Sequence, residues 1–288
     1  MVNSDLLRLT RMHREGSFNT QRSRKAHVKL IARPLAEAGF KRLKAANLKP
    51  KHVTALVDRW KQDGISPGTF KNRMGAVRWL YRKVDKHFLI PRDNAALGIA
   101  NRQYVTNENK ARELTPAFGD IEKIKNPYVR MSLELQRAFG LRREEALKIR
   151  PAWADRETKL VLLGSWTKGG RGREIRIVTE HQREVLNQAK SLAGTASLIP
   201  REKTYINHLR VYKRQVAAAG FHKLHGLRHA YAQERYRELT GRAAPAAGGK
   251  SWSDLTRQEK IEDGRARMMI SEELGHGRTQ IVAVYCGR

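Results

Sequence analysis

Apolar residues recur at helical spacing through the first third of the chain, and the pattern predicts a helical domain there. The clearest helix covers residues 69–87, with Thr69 as its predicted N-cap and residues 66–68 as a turn before it. Its apolar stripe consists of Val77, Leu80, Tyr81 and Val84. Weaker patterns predict further helices over residues 26–38, 40–46 and 52–64.

The helical spacing is lost after residue 90, where asparagine and proline become frequent. We predict a linker over residues 101–114, between a helical domain at 1–100 and a second domain at 115–288. Thr115-Pro116 is predicted to begin the first helix of the second domain, because proline is favoured in a first helical turn.

The second domain mixes helical and strand patterns. A long helix is predicted over residues 128–150, broken at Gly140. Residues 159–163 and 174–178 alternate like strands, and the glycine-rich segment 166–173 between them is typical of a hairpin connection. The fold is therefore predicted to be mainly α with a small antiparallel β-sheet.

More helices are predicted through residues 180–240. The segment 241–254 is rich in alanine and glycine, and we interpret it as a flexible insertion. Thr256 and Glu259 have the spacing of a capping box, which predicts the start of one further helix.

Composition narrows the class of protein. The chain of 288 residues has 58 Lys and Arg against 28 Asp and Glu, a formal charge of +30. A surplus of this size indicates a polyanionic partner, most simply nucleic acid, although ribosomal and membrane-surface proteins are also basic. No apolar run approaches the roughly 18 residues of a membrane span, and no secretory signal is predicted at the N-terminus. The single cysteine, Cys286, excludes an intrachain disulfide and a cysteine-based zinc site.

Two short motifs carry candidate cations. Arg142 and Glu145 are three residues apart, so a helix would place them on one face, either as a surface ion pair or as an anion-binding arginine held by a carboxylate. Lys168 is flanked by glycines at the predicted hairpin, either as a solvated lysine or as a mobile cation delivered to a phosphate.

Two further motifs lie nearer the end of the chain. His225 and Arg228 are at positions i and i+3 of a predicted helix start, either as a charged first turn or as two groups directed at one anion, which a helix N-terminus favours. Tyr285 follows His276 by nine residues and is either a packed aromatic or a nucleophile. A phenol has a pKa of about 10, so attack at neutral pH needs cations that stabilise the phenolate.

Together these motifs resemble the catalytic domain of the tyrosine recombinase (phage integrase) family. The match follows chain order: residues 140–145 (GLRREE), Lys168 in a hairpin, residues 225–229 (HGLRH), residues 274–276 (LGH) and Tyr285. The ending of the chain is similar to that of integrases of bacterial integrative elements. The resemblance implies a helical core-binding domain followed by an α+β catalytic domain.

The resemblance also implies a reaction. Tyr285 would attack a DNA phosphodiester and form a 3′-phosphotyrosyl link, while Arg142 and Arg228 would hold the non-bridging oxygens. Lys168 would protonate the leaving oxygen. His225 would act as an acid or base or position the nucleophile, and His276 would donate a hydrogen bond to the phosphate. No metal or other cofactor is required, because the arginines neutralise the charge of the transition state.

The implied partners are double-stranded DNA attachment sites. A homotetramer would form on paired sites, with accessory DNA-bending or directionality proteins, in the cytoplasm at the bacterial nucleoid. The candidate DNA contacts of the first domain are Lys71, Arg73, Arg78 and Arg82, on the helix at residues 69–87. Two alternatives stay open: a DNA-binding protein on this fold without catalysis, and a type IB topoisomerase-like enzyme that relaxes DNA.

Overall fold

A computed structural model describes residues 4–288 and divides into two compact units, the first ending at Gln103 and the second spanning Tyr104–Arg288. The first unit is helical, with α1 (Ser4–Met12), α2 (Phe18–Glu37), α3 (Pro50–Gln62) and α4 (Pro67–Arg82). The second contains α5 (Pro127–Phe139), α6 (Arg143–Lys148), α7 (Pro151–Ala154), β1 (Asp155–Arg156), β2 (Lys159–Leu162), β3 (Arg173–Arg176), α8 (Glu180–Ala193), α9 (Tyr205–Ala218), α10 (Gly226–Thr240), α11 (Arg257–Glu273) and α12 (Ala283–Cys286). Short 3₁₀ turns connect several of these elements.

The core of the first unit forms where α2, α3 and α4 pack together. Val77 and Leu80 of the predicted stripe are buried, and Trp60 of α3 lies fully inside. Tyr81 is also buried, and its hydroxyl donates to the Lys49 carbonyl over 2.8 Å. The stripe therefore faces the core, as its spacing predicts.

Two predictions for the first unit were wrong. Residues 40–46 form turns and the start of a 3₁₀ helix at Ala45–Asn47, because Gly39 and Arg42 adopt positive φ angles of 89° and 54° that interrupt any α-helix. Thr69 is not the N-cap of α4. Ser66 is, since its side chain accepts from the Thr69 backbone N–H over 3.3 Å, and Pro67 occupies the first helical position.

In the second unit, α5 and α10 pack against each other and line the core that carries the polar cluster described below. Gly140 ends α5 in the left-handed region, at φ 59°. A Cβ atom there would come within 2.4 Å of the Tyr231 ring, so close packing as well as backbone conformation requires glycine. The break predicted at this residue is confirmed.

The sheet is antiparallel in the order β1-β2-β3. Leu160 of β2 pairs with Ile175 of β3, and both side chains are fully buried. The hairpin agrees with the predicted strands to within two residues at each end, whereas β1 has only two residues and was not predicted.

The structure corrects two more predictions. Thr115-Pro116 forms a turn, not a helix, and α5 begins at Pro127, where the Asn126 side chain accepts from the Val129 N–H over 3.1 Å. Within residues 241–254, Ala244 and Ala246 are buried, so this part of the predicted flexible insertion is packed against the domain, while the other residues of the segment are exposed or half-buried. The capping box of Thr256 and Glu259 is confirmed at the start of α11. No helix within residues 4–288 is long and apolar enough to cross a membrane.

Candidate active site

Four of the six predicted catalytic residues meet at one place in the second unit. Arg142 precedes α6, Arg228 lies in the first turn of α10, His276 follows α11, and Tyr285 is on the short helix α12. These elements are far apart in sequence, and Arg228 and His276 are both within hydrogen-bonding distance of the Tyr285 hydroxyl.

Arg228 is the most enclosed member of the cluster, with 1% of its surface exposed. Its two terminal nitrogens donate to the backbone carbonyls of Gly140 and Leu274, and Nε donates to the Tyr285 hydroxyl over 3.3 Å. Burial, reinforced by the nearby Arg142, lowers the Arg228 pKa to about 10, so the guanidinium keeps its charge at neutral pH.

The Tyr285 hydroxyl lies between a cation and an imidazole. His276 Nε2 is 3.1 Å from the hydroxyl oxygen and 3.3 Å from an Arg228 nitrogen. Burial and then the charges of Arg228 and Arg142 lower the His276 pKa to about 4. The imidazole is therefore neutral at pH 7, and with two donors facing Nε2 that nitrogen acts as an acceptor.

Arg142 is fixed by a buried carboxylate. Glu145 has no exposed surface and accepts from the Arg142 backbone N–H and from its Nη1, both over 2.7 Å. Arg142 Nη2 also donates to the Leu274 carbonyl over 3.3 Å. Arg173, on β3, completes the pairing with two bonds to the same carboxylate over 3.0 and 2.7 Å.

Of the two remaining predicted catalytic residues, His225 lies beside the cluster and Lys168 does not. The His225 ring centroid is 5.8 Å from that of Tyr285, at the exposed start of α10. Desolvation, then Arg228 and Arg142, lower the His225 pKa. Lys168 is exposed on the loop between β2 and β3, next to Gly169 and Gly170 in left-handed conformations. Among the described residues it has no hydrogen bond to the cluster, so this structure does not bring it to Tyr285.

The cluster holds more cations than carboxylates. It contains three guanidinium groups, and two of them, Arg142 and Arg173, bond to the carboxylate of Glu145, whereas Arg228 contacts Tyr285 and His276. Positive charge is therefore in surplus beside the Tyr285 hydroxyl, which suits a phosphate and a developing phenolate. Within residues 4–288, no group of His, Cys, Asp and Glu side chains is placed to hold a metal ion.

The basic residues predicted on α4 fall into two groups. Lys71 and Arg82 are exposed. Arg73 lies 5.4 Å from the Trp60 ring centroid, and Arg78 donates to the Pro91 carbonyl and, over 2.7 Å, to the Asn94 side chain. Arg73 and Arg78 therefore contribute to packing within the first unit, and DNA contacts by all four residues stay predictions.

Sequence reasoning missed two residues of the cluster. Arg173 was included only as the end of the hairpin connection, yet its side chain is 5% exposed and holds Glu145. His229 was included only as part of a motif, yet its ring centroid is 4.8 Å from that of Tyr285. Burial, then His225, lowers the His229 pKa to about 4, which keeps this ring neutral against the phenol. Its position one residue after Arg228 was the only available signal.

Two known family descriptions match the chain. The family description "Phage integrase, N-terminal" matches residues 1–89, and "Integrase" matches residues 100–234. Among curated proteins, no sequence matches the chain significantly.

Solved structures of similar fold cover nearly all of the chain at low identity. A lambda integrase dimer bound to a COC′ core site is 17% identical with a TM-score of 0.63, covering 98% of this chain and 76% of that one. The XerH recombinase bound to its difH substrate is 15% identical with a TM-score of 0.59, covering 99% and 81%. The Tn1549 transposon integrase (residues 82–397) with circular intermediate DNA is 13% identical with a TM-score of 0.55, covering 100% and 96%.

The fold and the matched families define a DNA-recombining enzyme. The chain belongs to the tyrosine recombinase (phage integrase) family, whose members are site-specific recombinases that cut and rejoin DNA. The predicted mainly helical fold with a small antiparallel sheet and the predicted enzyme class are both confirmed.

Proposed function

We propose that this chain cleaves and rejoins DNA attachment sites through a covalent 3′-phosphotyrosyl intermediate on Tyr285. The observation that supports this most directly is the position of the Tyr285 hydroxyl, which accepts a hydrogen bond from Arg228 Nε and donates one to His276 Nε2. Burying a guanidinium is costly, so a buried arginine at the hydroxyl of a buried tyrosine supports a chemical role for that hydroxyl.

The proposed step exchanges one phosphodiester bond for another. The Tyr285 oxygen forms a bond to phosphorus as the bond between phosphorus and the 5′ oxygen breaks. His276 Nε2 takes the phenol proton, and the bound phosphate favours this because its negative charge raises the proton affinity of the imidazole. The 5′ oxygen leaves as a hydroxyl, protonated by Lys168 once the loop between β2 and β3 brings that side chain to the DNA. The reverse step, with a 5′ hydroxyl of a partner strand, rejoins the DNA.

The arginines stabilise the pentavalent transition state in this proposal. Arg142 and Arg228 donate to the two non-bridging oxygens, where charge develops. Arg228 Nε also stabilises Tyr285 as it approaches the phenolate form. His225 lies at the exposed edge of the cluster, where it contacts the incoming backbone as an acid, base or positioning group.

Double-stranded DNA is the partner, and we further propose that four copies assemble on two paired sites. One of the similar structures is described as a lambda integrase tetramer bound to a Holliday junction, which supports this proposal. Accessory DNA-bending or directionality proteins and a location at the bacterial nucleoid are parts of the same proposal.

Covalent trapping tests the reaction. Nicked duplexes that cover the ends of the host genetic element are incubated with the protein, and the products are separated on a denaturing gel. We expect a protein–DNA adduct that forms equally with or without EDTA, because the arginines supply the charge neutralisation that a metal ion provides elsewhere. Loss of the adduct in EDTA would contradict the mechanism. Salt-dependent binding without any adduct would favour the inactive DNA-binding protein, and relaxation of a plasmid without a site would favour a topoisomerase.

DNA affinity is expected to fall steeply with salt. Each phosphate neutralised contributes about −0.9 to the slope of log K against log salt concentration, so about eight contacts give a slope near −7. The charge of +30 supports a slope of this size. Fluorescence anisotropy of a labelled duplex between about 50 and 300 mM salt measures this slope. A slope shallower than about −3 would contradict extensive contact with the DNA backbone.

A further inference from the structure

Arg173 occupies a position that the proposed chemistry does not use directly. It lies at the start of β3, and its side chain is 5% exposed, so it does not present its charge at the surface. Two of its nitrogens bond to Glu145, and Nε donates to the Glu273 carbonyl over 2.7 Å. All of its donor nitrogens are thus directed into the protein.

The partners of Arg173 are the two anchors of Arg142. Glu145 holds the Arg142 backbone and Nη1, and the end of α11 holds Arg142 Nη2 through the Leu274 carbonyl. Arg173 bonds to the same carboxylate and to the neighbouring carbonyl, at Glu273. It therefore ties α6 to the end of α11, the two elements between which Arg142 is held.

The end of α11 also anchors the other catalytic arginine and the histidine. The Leu274 carbonyl accepts from Arg228, and His276 follows two residues later. A Cβ atom on Gly275 would come within 2.9 Å of the Arg173 side chain, so the turn between α11 and His276 packs directly on Arg173. A displacement of Arg173 would reach both sides of the phosphate site.

We infer that Arg173 is a positioning residue for the DNA cleavage reaction, which clamps Glu145 and the end of α11 so that Arg142 is held in place for the scissile phosphate. This inference rests on the proposed function. Arg173 does not touch the substrate. Its contribution is geometric, and a misplacement of about 1 Å in such a site can slow a reaction by roughly 100-fold.

The Glu145 carboxylate gives the inference a distinctive pH readout. Burial opposes its ionisation, but Arg173 and then Arg142 outweigh burial and lower its pKa to about 2. Arg142 and Arg173 are the charged groups that bond to it, while Arg228 and His276 lie beyond them towards Tyr285. Removal of Arg173 raises the Glu145 pKa. As the pH falls through the raised value, Glu145 becomes protonated and releases Arg142.

The test measures single-turnover adduct formation on a nicked duplex between about pH 5 and 8, a range in which a raised carboxyl pKa is detectable. Four variants are compared with the wild type: Arg173→Gln, Arg173→Lys, the double variant Glu145→Gln/Arg173→Gln, and Arg176→Gln. Arg176 is the matched control, because it lies on the same strand with its side chain exposed. DNA affinity and thermal unfolding are measured on every variant.

Arg173→Gln is expected to slow cleavage roughly 10- to 100-fold, while its DNA affinity stays within about threefold of the wild type. Its cleavage rate should also fall more steeply than that of the wild type as the pH is lowered. Arg173→Lys should recover part of the rate. The double variant should be slow without the added acid loss, because no carboxylate remains to titrate. If Arg173→Gln does not fold, Arg173→Lys carries the test. It keeps a cation beside Glu145 but cannot bond to both carboxylate oxygens and the Glu273 carbonyl as the guanidinium does, and a wild-type rate in that variant would overturn the role of Arg173.

Wild-type rates in Arg173→Gln or in the double variant would overturn the role of Arg173, as would an equal loss in Arg176→Gln. The role would also be overturned if the rate fell only in proportion to the loss of thermal stability and the pH profile did not change. That is the result expected when a residue only stabilises the fold. If the wild type itself forms no adduct, the proposed reaction is wrong. If the wild type forms the adduct and Arg173→Gln forms it equally fast, only the role of Arg173 is wrong.

Discussion

Tyr285→Phe is expected to abolish adduct formation completely while DNA binding stays within about twofold of the wild type. The substitution removes only the oxygen that attacks phosphorus, so no slower route through this side chain remains. The ring stays, and with it the packing against His225 and His229. The hydrogen bonds from Arg228 and to His276 are lost, and a net cost of about 1 kcal/mol in the free energy of unfolding is expected.

The measurement is the denaturing-gel assay on nicked duplexes, beside anisotropy of the same duplexes. Tyr128→Phe is a suitable control, because it removes a hydroxyl that donates to the Leu192 carbonyl of α8 and has no bond to the arginine cluster. It should form adduct at the wild-type rate. An adduct with Tyr285→Phe would show that another side chain is the nucleophile, and equal loss in both variants would show a general effect of losing a phenol.

That four candidate site residues lie together could be predicted because their motifs combine unusual residue types at fixed spacing. Arg142, Arg228, His276 and Tyr285 are each ordinary alone, and only their order along the chain indicated one site. The structure adds what the order does not contain: His276 bonds to the Tyr285 hydroxyl, whereas the sequence prediction directed it to the phosphate.

Arg173 could not be identified from sequence for a physical reason. It is one of 58 basic residues, and its partner Glu145 is 28 residues away. Pairing at that distance depends on the hairpin folding back over α6, which no local spacing encodes. Arg78 shows a second contact that local spacing does not encode: it bonds to Pro91 and Asn94 within its own unit. Its predicted contact with DNA stays a prediction.

Secondary structure was predictable where periodicity was long and failed where it was short. The helix predicted over residues 69–87 spans about five turns, and a pattern of that length has few alternatives. Its predicted end was wrong, since α4 ends at Arg82. Residues 40–46 span fewer than two turns, so positive φ angles at Gly39 and Arg42 were enough to replace the helix with turns. The strand β1, with two residues, has no periodicity to detect.

Arg228→Lys is the second substitution with a very large expected effect, because one guanidinium serves four partners at once. It donates to the carbonyls of Gly140 and Leu274, and it contacts the Tyr285 hydroxyl and His276. A lysine has one compact ammonium group and cannot span these positions. The cleavage rate should fall about 1000-fold, the scale for losing a preorganised donor at a developing charge.

Arg228→Lys should also be less stable by about 2–4 kcal/mol, because two buried carbonyls lose their donors and a buried charge loses part of its pairing. The burial and neighbouring arginines that lower the Arg228 pKa act on the lysine as well. Its folded-state pKa then lies below the unfolded value of about 10.4. Between those two values the unfolded chain binds more protons, so the stability of the variant rises with pH and its deficit shrinks.

Chemical unfolding of wild type and variant between about pH 7 and 10 measures this linkage, since the range ends near the unfolded lysine value. Arg237→Lys is the matched control on the same helix, because its side chain is 67% exposed and pairs with Glu234 only at 3.9 Å. It should change neither cleavage nor the pH dependence. A stable, pH-independent Arg228→Lys variant that still cleaved within tenfold of the wild type would mean that the enclosed guanidinium is not what prepares Tyr285 for attack.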